Sequence, residues 1–198
     1  MHEIITLPKP NLDGSMSLER AIAARRSRRS FLSKALTLEQ IGQLAWAAQG
    51  QDVSSKYRTV PSAGATYPLE LFVVNEQGLF HYLHAKGALE KLTEKDLRSA
   101  LAAAAWGQEF IEAAPLTLVF AAEFVRTTGR YGRRGVRYVY MEAGHAAQNV
   151  HLQAESLGLG SVAVGAFDDA SVSKVLSLPK HLEPIYMVVV GYRRNNPT

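Results

Sequence analysis

No cysteine occurs in the 198 residues. That absence excludes disulfides, a thiolate nucleophile, and zinc or iron–sulfur centres held by cysteine. It agrees with a reducing cytoplasm, where the protein is expected to reside. Long apolar runs are missing as well. No stretch reaches the roughly 20 residues that cross a bilayer, and Met1 to Pro10 lacks an apolar core of signal-peptide length. No membrane partner is expected. Neither a G-x-x-x-x-G-K-[ST] phosphate loop nor a G-x-S-x-G nucleophile elbow is present. The six histidines do not adopt ligand spacing: His145 and His151 are six apart on one predicted helix, which places them on different faces, so no metal site is expected.

Excess charge is also scarce. The net charge is +4, from 22 basic and 18 acidic residues. A surplus this small and this clustered favours a small anionic ligand over the long footprint of a duplex. Hydrophobic residues make up 47% and charged residues 20%, a globular composition. With no repeat, linker or low-complexity tract, residues 1–198 read as one domain with a sizeable core.

The positive charge concentrates in Arg25-Arg26-Ser27-Arg28-Arg29, followed by Ser30-Phe31. Guanidinium groups are planar, bidentate donors that match phosphate oxygens and stay charged at any working pH. Three readings are open for the run by itself. It can complement a helix C-terminus, grip a phosphate-bearing ligand, or serve as a nucleic-acid patch.

Residues 1–14, with Pro8, Pro10 and Gly14, read as an extended arm. Ser15 or Ser17 caps a helix through Leu18, Ala21, Ile22 and Ala24. Thr37-Leu38-Glu39-Gln40 is a capping box opening a helix through Ile41, Leu44, Ala45 and Ala48 to Gly50. Gln49 to Thr59 is polar and loop-like. Pro61-Ser62-Ala63-Gly64-Ala65-Thr66-Tyr67-Pro68 sets small residues between two prolines. It reads either as a plain loop or as a backbone that a flat ligand can approach closely. Leu69–Asn75 and Gly78–His84 are predicted paired strands, Leu89–Ala105 and Gln108–Ala114 helices, and the apolar run Pro115–Ala121 a buried strand. Arg126–Arg137 is predicted to be a Gly- and Arg-rich loop, and Tyr138–Leu157 the longest helix, with small residues along it. Ser161–Val164, Asp169–Leu176 and Pro184–Gly191 read as strand, helix and strand. The intermixing points to an α+β fold on a mixed or antiparallel sheet.

Gly158-Leu159-Gly160-Ser161-Val162-Ala163 matches G-x-G-x-x-A, but it closes a helix and opens a strand, the reverse of a dinucleotide fingerprint. Its glycines are expected to end the helix.

Five pieces occur in one order: the Arg25–Arg29 run, the Pro61–Pro68 loop, Glu142-Ala143-Gly144-His145-Ala146-Ala147-Gln148-Asn149, Leu157–Val162, and Val164-Gly165-Ala166-Phe167-Asp168. In that order and spacing the chain resembles the nitroreductase family of FMN-dependent oxidoreductases. Within it, the chain is most similar to the branch that includes SagB-type, thiazole/oxazole-forming peptide dehydrogenases. The resemblance spans roughly residues 17 to 193.

The resemblance implies that Arg25, Arg26 and Ser27 hold the FMN phosphate and ribityl chain, and that Arg29 reaches the pyrimidine edge of the flavin. A fixed cation there stabilises the negative charge of the reduced ring. Pro61, Ser62, Ala63 and Gly64 would line the ring, with Ser62 as a polar contact. The backbone amides of Gly165 and Ala166 would face N5 and O4, and Arg193 would add a second phosphate contact. The resemblance also implies a homodimer with residues 138–157 at the interface and FMN between subunits. NAD(P)H would donate hydride, and a nitroaromatic, quinone or similar acceptor would receive it. No side chain need act as a covalent catalyst. Ala65-Thr66-Tyr67 stands where many members carry Asn and Gln, and the sequence stops seven residues after Gly191. The alternative is oxidation of a peptide azoline to an azole, an activity associated with a Lys-Tyr pair such as Lys56-Tyr57. A flavin-binding protein without catalysis and a basic nucleic-acid-binding module are the non-enzymatic readings; the nucleic-acid module leaves the small-residue loop unexplained.

Overall fold

A computed structural model of the protein describes residues 3–51 and 57–194. In chain order its elements are β1 (Ile4–Thr6), α1 (Leu18–Ala24), α2 (Leu38–Gln49), a short 3-10 turn (Ala63–Ala65), β2 (Leu69–Asn75), β3 (Gly78–Leu83), β4 (Ala88–Thr93), α3 (Arg98–Ala104), α4 (Glu109–Ala113), β5 (Leu116–Ala122), α5 (Phe124–Tyr131), α6 (Arg134–Ser156), β6 (Leu159–Val164), α7 (Asp169–Val175) and β7 (Glu183–Tyr192). The strands form one sheet in the order β1-β4-β3-β2-β5-β7-β6, and every ladder is antiparallel.

The apolar run predicted to be a buried strand is β5, which lies in the interior of this sheet with all seven residues buried. Successive side chains of a strand point to opposite faces. Leu116, Leu118, Phe120 and Ala122 therefore join a core shared with α2 and α6. Val119 and Ala121 join a second core with α3, α4 and α7. The sheet is thus sandwiched between two helical layers, and α6 is the long element of the first. Its buried residues Val139, Ala143, Ala146, Ala147, Val150 and Ala154 are mostly small.

Caps match the sequence. Ser17 accepts from the Arg20 amide at the start of α1, and Thr37 and Gln40 close the capping box of α2. Gly158, with φ of 70°, follows the last turn of α6, and β6 begins at the next residue.

Two predicted segments differ. The helix expected from Leu89 is strand β4 as far as Thr93, and the helix begins only at Arg98. Ala-Leu-Glu-Lys-Leu has high helix propensity, but pairing with β3 on one side and β1 on the other overrides it. The loop expected over Arg126–Arg137 is mostly helical. It supplies most of α5 and the first turn of α6, with Gly132 and Arg133 between them. Gly132, with φ of 55°, ends α5, and Arg126 is tied to Glu123 one turn earlier at 2.6 Å.

At the β2–β3 hairpin, Gly78 has φ of 129°, and a Cβ there would sit 1.9 Å from the Thr93 carbonyl oxygen. Gly78→Ala is expected to destabilise the protein by about 2–3 kcal/mol. Urea unfolding of the variant against the parent checks this.

Candidate functional site

The Arg run leaves α1 as a strap along the free edge of β6. Arg26 donates to the carbonyls of Ala23 (3.0 Å) and Arg25 (2.8 Å), closing the helix end. Ser27 then forms a parallel bridge with Ser161, and the Arg28 amide donates to the Ser161 carbonyl at 2.9 Å. Phe31, buried, bridges to Arg193 and anchors the strap. The helix-end reading therefore holds for Arg26. Arg26, Arg28 and Arg29 are exposed and Arg25 is half-buried. Among the described residues none of the four is ion-paired with a carboxylate. The Arg29 guanidinium lies over the Phe110 ring, 5.9 Å from its centroid.

Beneath the strap, His151 on α6 meets the Ser161 hydroxyl through Nδ1 at 2.8 Å. Burial, reinforced by the charge of Arg25, pushes the imidazole down to about 4, so the ring is neutral. Arg193 pairs with Glu155, which is fully buried on α6, and donates to the Leu159 carbonyl through Nε (3.0 Å) and Nη2 (2.8 Å). Its side chain also lies beside that of Arg28 at Gly160. The expected phosphate cation is therefore already partly neutralised by Glu155. Gly165 and Ala166 follow β6 as an exposed turn. Neither amide donates to another backbone group among the described residues. The Ala166 carbonyl accepts from Gln108 at 2.8 Å, which ties this turn to the segment bearing Phe110.

The Pro61–Pro68 loop forms a second group. Gly64, Ala65 and Tyr67 have φ of 61°, 52° and 46°, a conformation costly for the two non-glycine residues. Side chains hold it in place. Ser62 Oγ accepts the Tyr67 amide (2.9 Å), and Thr66 shares a hydrogen bond with Thr127 (2.8 Å). Arg126 donates to the Tyr67 carbonyl (3.0 Å), and Arg130 to that of Gly64 (3.1 Å). The last three contacts come from α5, in the stretch expected to be a loop. Glu70 takes Arg126 at 2.7 Å and His81 at 2.9 Å, and these bonds hold its carboxyl down at about 2 in spite of burial.

The strap, the Gly165 turn and Arg193 thus gather at the β6 edge, whereas the loop sits apart from them. Both groups attach to α6, the loop through Glu142 and the strap through His151. Nine residues separate these anchors, or roughly 13 Å along the helix. Glu142 is 3% exposed, and burial pushes its carboxyl up to about 7 although the Ser62 hydrogen bond and Arg58 pull it down. Arg58 donates to Gln49 (2.7 Å) and the Leu69 carbonyl (2.9 Å) and stacks on Tyr67. Sequence reasoning quoted Glu142 without a role and missed His151, Glu155 and Arg58. The legible signal was a charged or polar side chain on the apolar stripe of α6. Of the Lys56-Tyr57 pair, Lys56 lies outside the described residues, and Tyr57 is exposed. A cavity of about 450 Å³ opens between the N-terminal arm, α1, α2 and α6, lined by Leu12, Leu18, Trp46 and Leu152 among others.

The nitroreductase family model matches residues 22–192. A candidate nitroreductase of Methanocaldococcus jannaschii, MJ1384, is 40% identical over 197 residues, covering 96% of this chain and 98% of that protein. The microcin B17-processing protein McbC of Escherichia coli is 30% identical over 153 residues, 72% of this chain and 56% of its own length. The FMN reductase (NADPH) of Bacillus subtilis is 28% identical over 179 residues, 88% of this chain and 65% of that protein. The crystal structure of a candidate nitroreductase from Ralstonia eutropha JMP134 superposes with a TM-score of 0.88 at 32% identity, covering 98% of this chain and 90% of that one.

The two buried anchors titrate in opposition. Between pH 4.5 and about 7 the folded protein keeps a proton on Glu142 that the unfolded chain has released. This contribution to stability is present at low pH and lost as pH rises through 7. His151 behaves in reverse: the unfolded chain binds its proton below 6.5, the folded protein only near 4, so stability is lost as pH falls across that window. Each contribution is about 3 kcal/mol, and the two slopes offset one another between pH 4.5 and 6.5. Glu142→Gln is therefore expected to uncover the His151 slope. Its urea midpoint should fall on acidification from pH 6.5 to 4.5, while that of the parent stays flatter.

Proposed function

The chain belongs to the nitroreductase family, and we propose that within this oxidoreductase family it is an FMN-dependent enzyme. In this reading it takes hydride from NAD(P)H and passes it to a nitroaromatic, quinone or similar small acceptor. The observation that carries the reading is the strap: four guanidiniums around one hydroxyl, unpaired with carboxylates among the described residues, beside two unengaged backbone amides. That donor set fits a phosphate and the polar edge of a flavin. FMN, when bound, supplies hydride acceptance and donation at N5.

Arg25, Arg26 and Ser27 grip the phosphate and ribityl chain, and Arg29, steadied over Phe110, meets the pyrimidine edge. Gly165 and Ala166 present their amides toward N5 and O4. Pro61, Ser62, Ala63 and Gly64 form the wall for the ring, with little side chain to keep a second flat molecule away. Arg193, shared with Glu155, braces the strap next to Arg28 and offers the phosphate a weaker contact.

The separation of loop and strap supports a homodimer in which FMN sits between copies of this chain. Leu18 and Ile22 on α1 and Tyr140 and Met141 on α6 are each more than half exposed, an apolar surface suited to a second copy. Among the described residues no helix is long and apolar enough to cross a membrane, which agrees with work in a reducing cytoplasm.

The similarity to McbC favours a second reading, FMN-dependent oxidation of a peptide azoline, with Lys56-Tyr57 near the ring. Turnover of an azoline peptide in air without nicotinamide would select it. A protein that binds FMN yet is bleached by neither nicotinamide would be a flavin carrier.

The purified protein is expected to be yellow and to bleach anaerobically with NADH or NADPH. Arg25→Ala should weaken FMN binding by about 10- to 100-fold, the loss of one charged hydrogen bond, with much less effect on riboflavin. Calorimetry with both ligands measures the contrast, and equal losses would place the phosphate elsewhere. Arg133→Ala with Arg134→Ala is expected to raise the KM for NADPH about tenfold if these exposed cations at the start of α6 meet its extra phosphate; an unchanged KM would free them of that role.

A further inference from the structure

Glu142 is among the buried polar residues of α6, and its Oε1 has no hydrogen-bond partner. A carboxyl this far from water normally has both oxygens satisfied. Its partner is the Ser62 hydroxyl, and the same hydroxyl accepts the Tyr67 amide at 2.9 Å. Ser62 is half-buried, so one further valence of its oxygen remains within reach of a ligand on the loop.

We propose that Glu142 is a positioning residue for the cofactor loop: depending on whether its carboxyl carries a proton, it presents the Ser62 hydroxyl to the flavin ring as a donor or as an acceptor. This rests on the FMN reading above. A serine hydroxyl has one proton and two lone pairs. The Tyr67 amide uses one lone pair. When Glu142 is ionised, the hydroxyl proton points inward at the carboxylate, and the second lone pair faces the ligand. When Glu142 is protonated, its own O–H fills that lone pair, and the serine proton turns outward. One proton in the core thus reverses the polarity of a ligand contact with no backbone movement.

The surroundings fix where this happens. Among the described residues Arg58 is the charged group that bears on Glu142, and Arg58 itself faces Glu70, Arg126 and Tyr67. From α5, Arg126 and Arg130 are spent on the Tyr67 and Gly64 carbonyls. On α6, Tyr138 and His145 lie one turn to either side. Burial outweighs Arg58, so the carboxyl changes state near 7. A ring laid over the loop removes more water and favours the neutral acid. The bound ring therefore meets the Ser62 O–H, a donor suited to a ring carbonyl, and FMN binds more tightly on the acid side.

Quenching of flavin fluorescence gives the Kd for FMN in the parent, Glu142→Gln and Ser62→Ala from about pH 6.5 to about 8.5. Titration of the FMN phosphate affects all three alike and cancels in the comparison. The parent is expected to lose about fivefold more affinity across this range than either variant, the size of one hydrogen bond. The same pH dependence in all three overturns the proposal, as does a step that survives Glu142→Gln. A parent that binds no FMN at any pH removes the FMN reading and this inference together. A parent that binds FMN without the extra step removes the inference alone. On the cofactor-free parent, the infrared C=O band of a protonated carboxyl should disappear with a midpoint near 7. Absence of that band overturns the proposal whether or not the variants fold.

Discussion

Burial of α6 against the antiparallel sheet is the constraint on which the candidate site depends. The small side chains of Ala143, Ala146, Ala147 and Ala154 bring this helix close to the β5, β6 and β7 strands. That closeness leaves its polar residues nowhere to go but onto particular partners. Glu142 meets Ser62, Asn149 reaches the carbonyls of Ala47 and Thr59, His151 meets Ser161, and Glu155 takes Arg193. Each segment that could touch a cofactor is thereby referenced to one rigid element. Without such references a strap and a loop of small residues would have no fixed relation to each other.

The cost of the arrangement is visible in the same residues. A carboxyl and an imidazole held away from water are both driven toward their neutral forms. Because one is an acid and the other a base, their pH dependences oppose. Ala65 and Tyr67 carry backbone conformations that only a well-determined loop sustains. Strain and buried ionisable groups gather around the loop and the strap rather than in the sheet, where β5 and β7 are apolar and regular.

Much of the fold was legible because the relevant signals are local. The capping box at Thr37, the apolar run of β5, the hairpin at Gly78 and the helix-ending Gly158 each declare themselves within a few residues. Two readings failed for a common reason. Ala88–Thr93 looks helical in isolation and becomes a strand because two neighbours pair with it. Phe124–Tyr131 shows no clean apolar stripe and becomes a helix because its polar face is consumed in holding the 61–68 loop. In the site, the Arg run announces itself by composition. Glu142, His151 and Glu155 do not, since an acid or histidine on a helix is unremarkable until the helix is known to be buried on that side. That Arg26 closes α1 and Arg193 is shared with Glu155 was equally beyond composition.

A crystal structure of the FMN-loaded protein tests the central claim most directly. The account predicts the phosphate on Arg25 and Ser27 of one copy, with the ring between the Gly165–Ala166 turn of that copy and the Pro61–Gly64 wall of a second. A phosphate bound elsewhere, with the strap guanidiniums facing solvent, would contradict it.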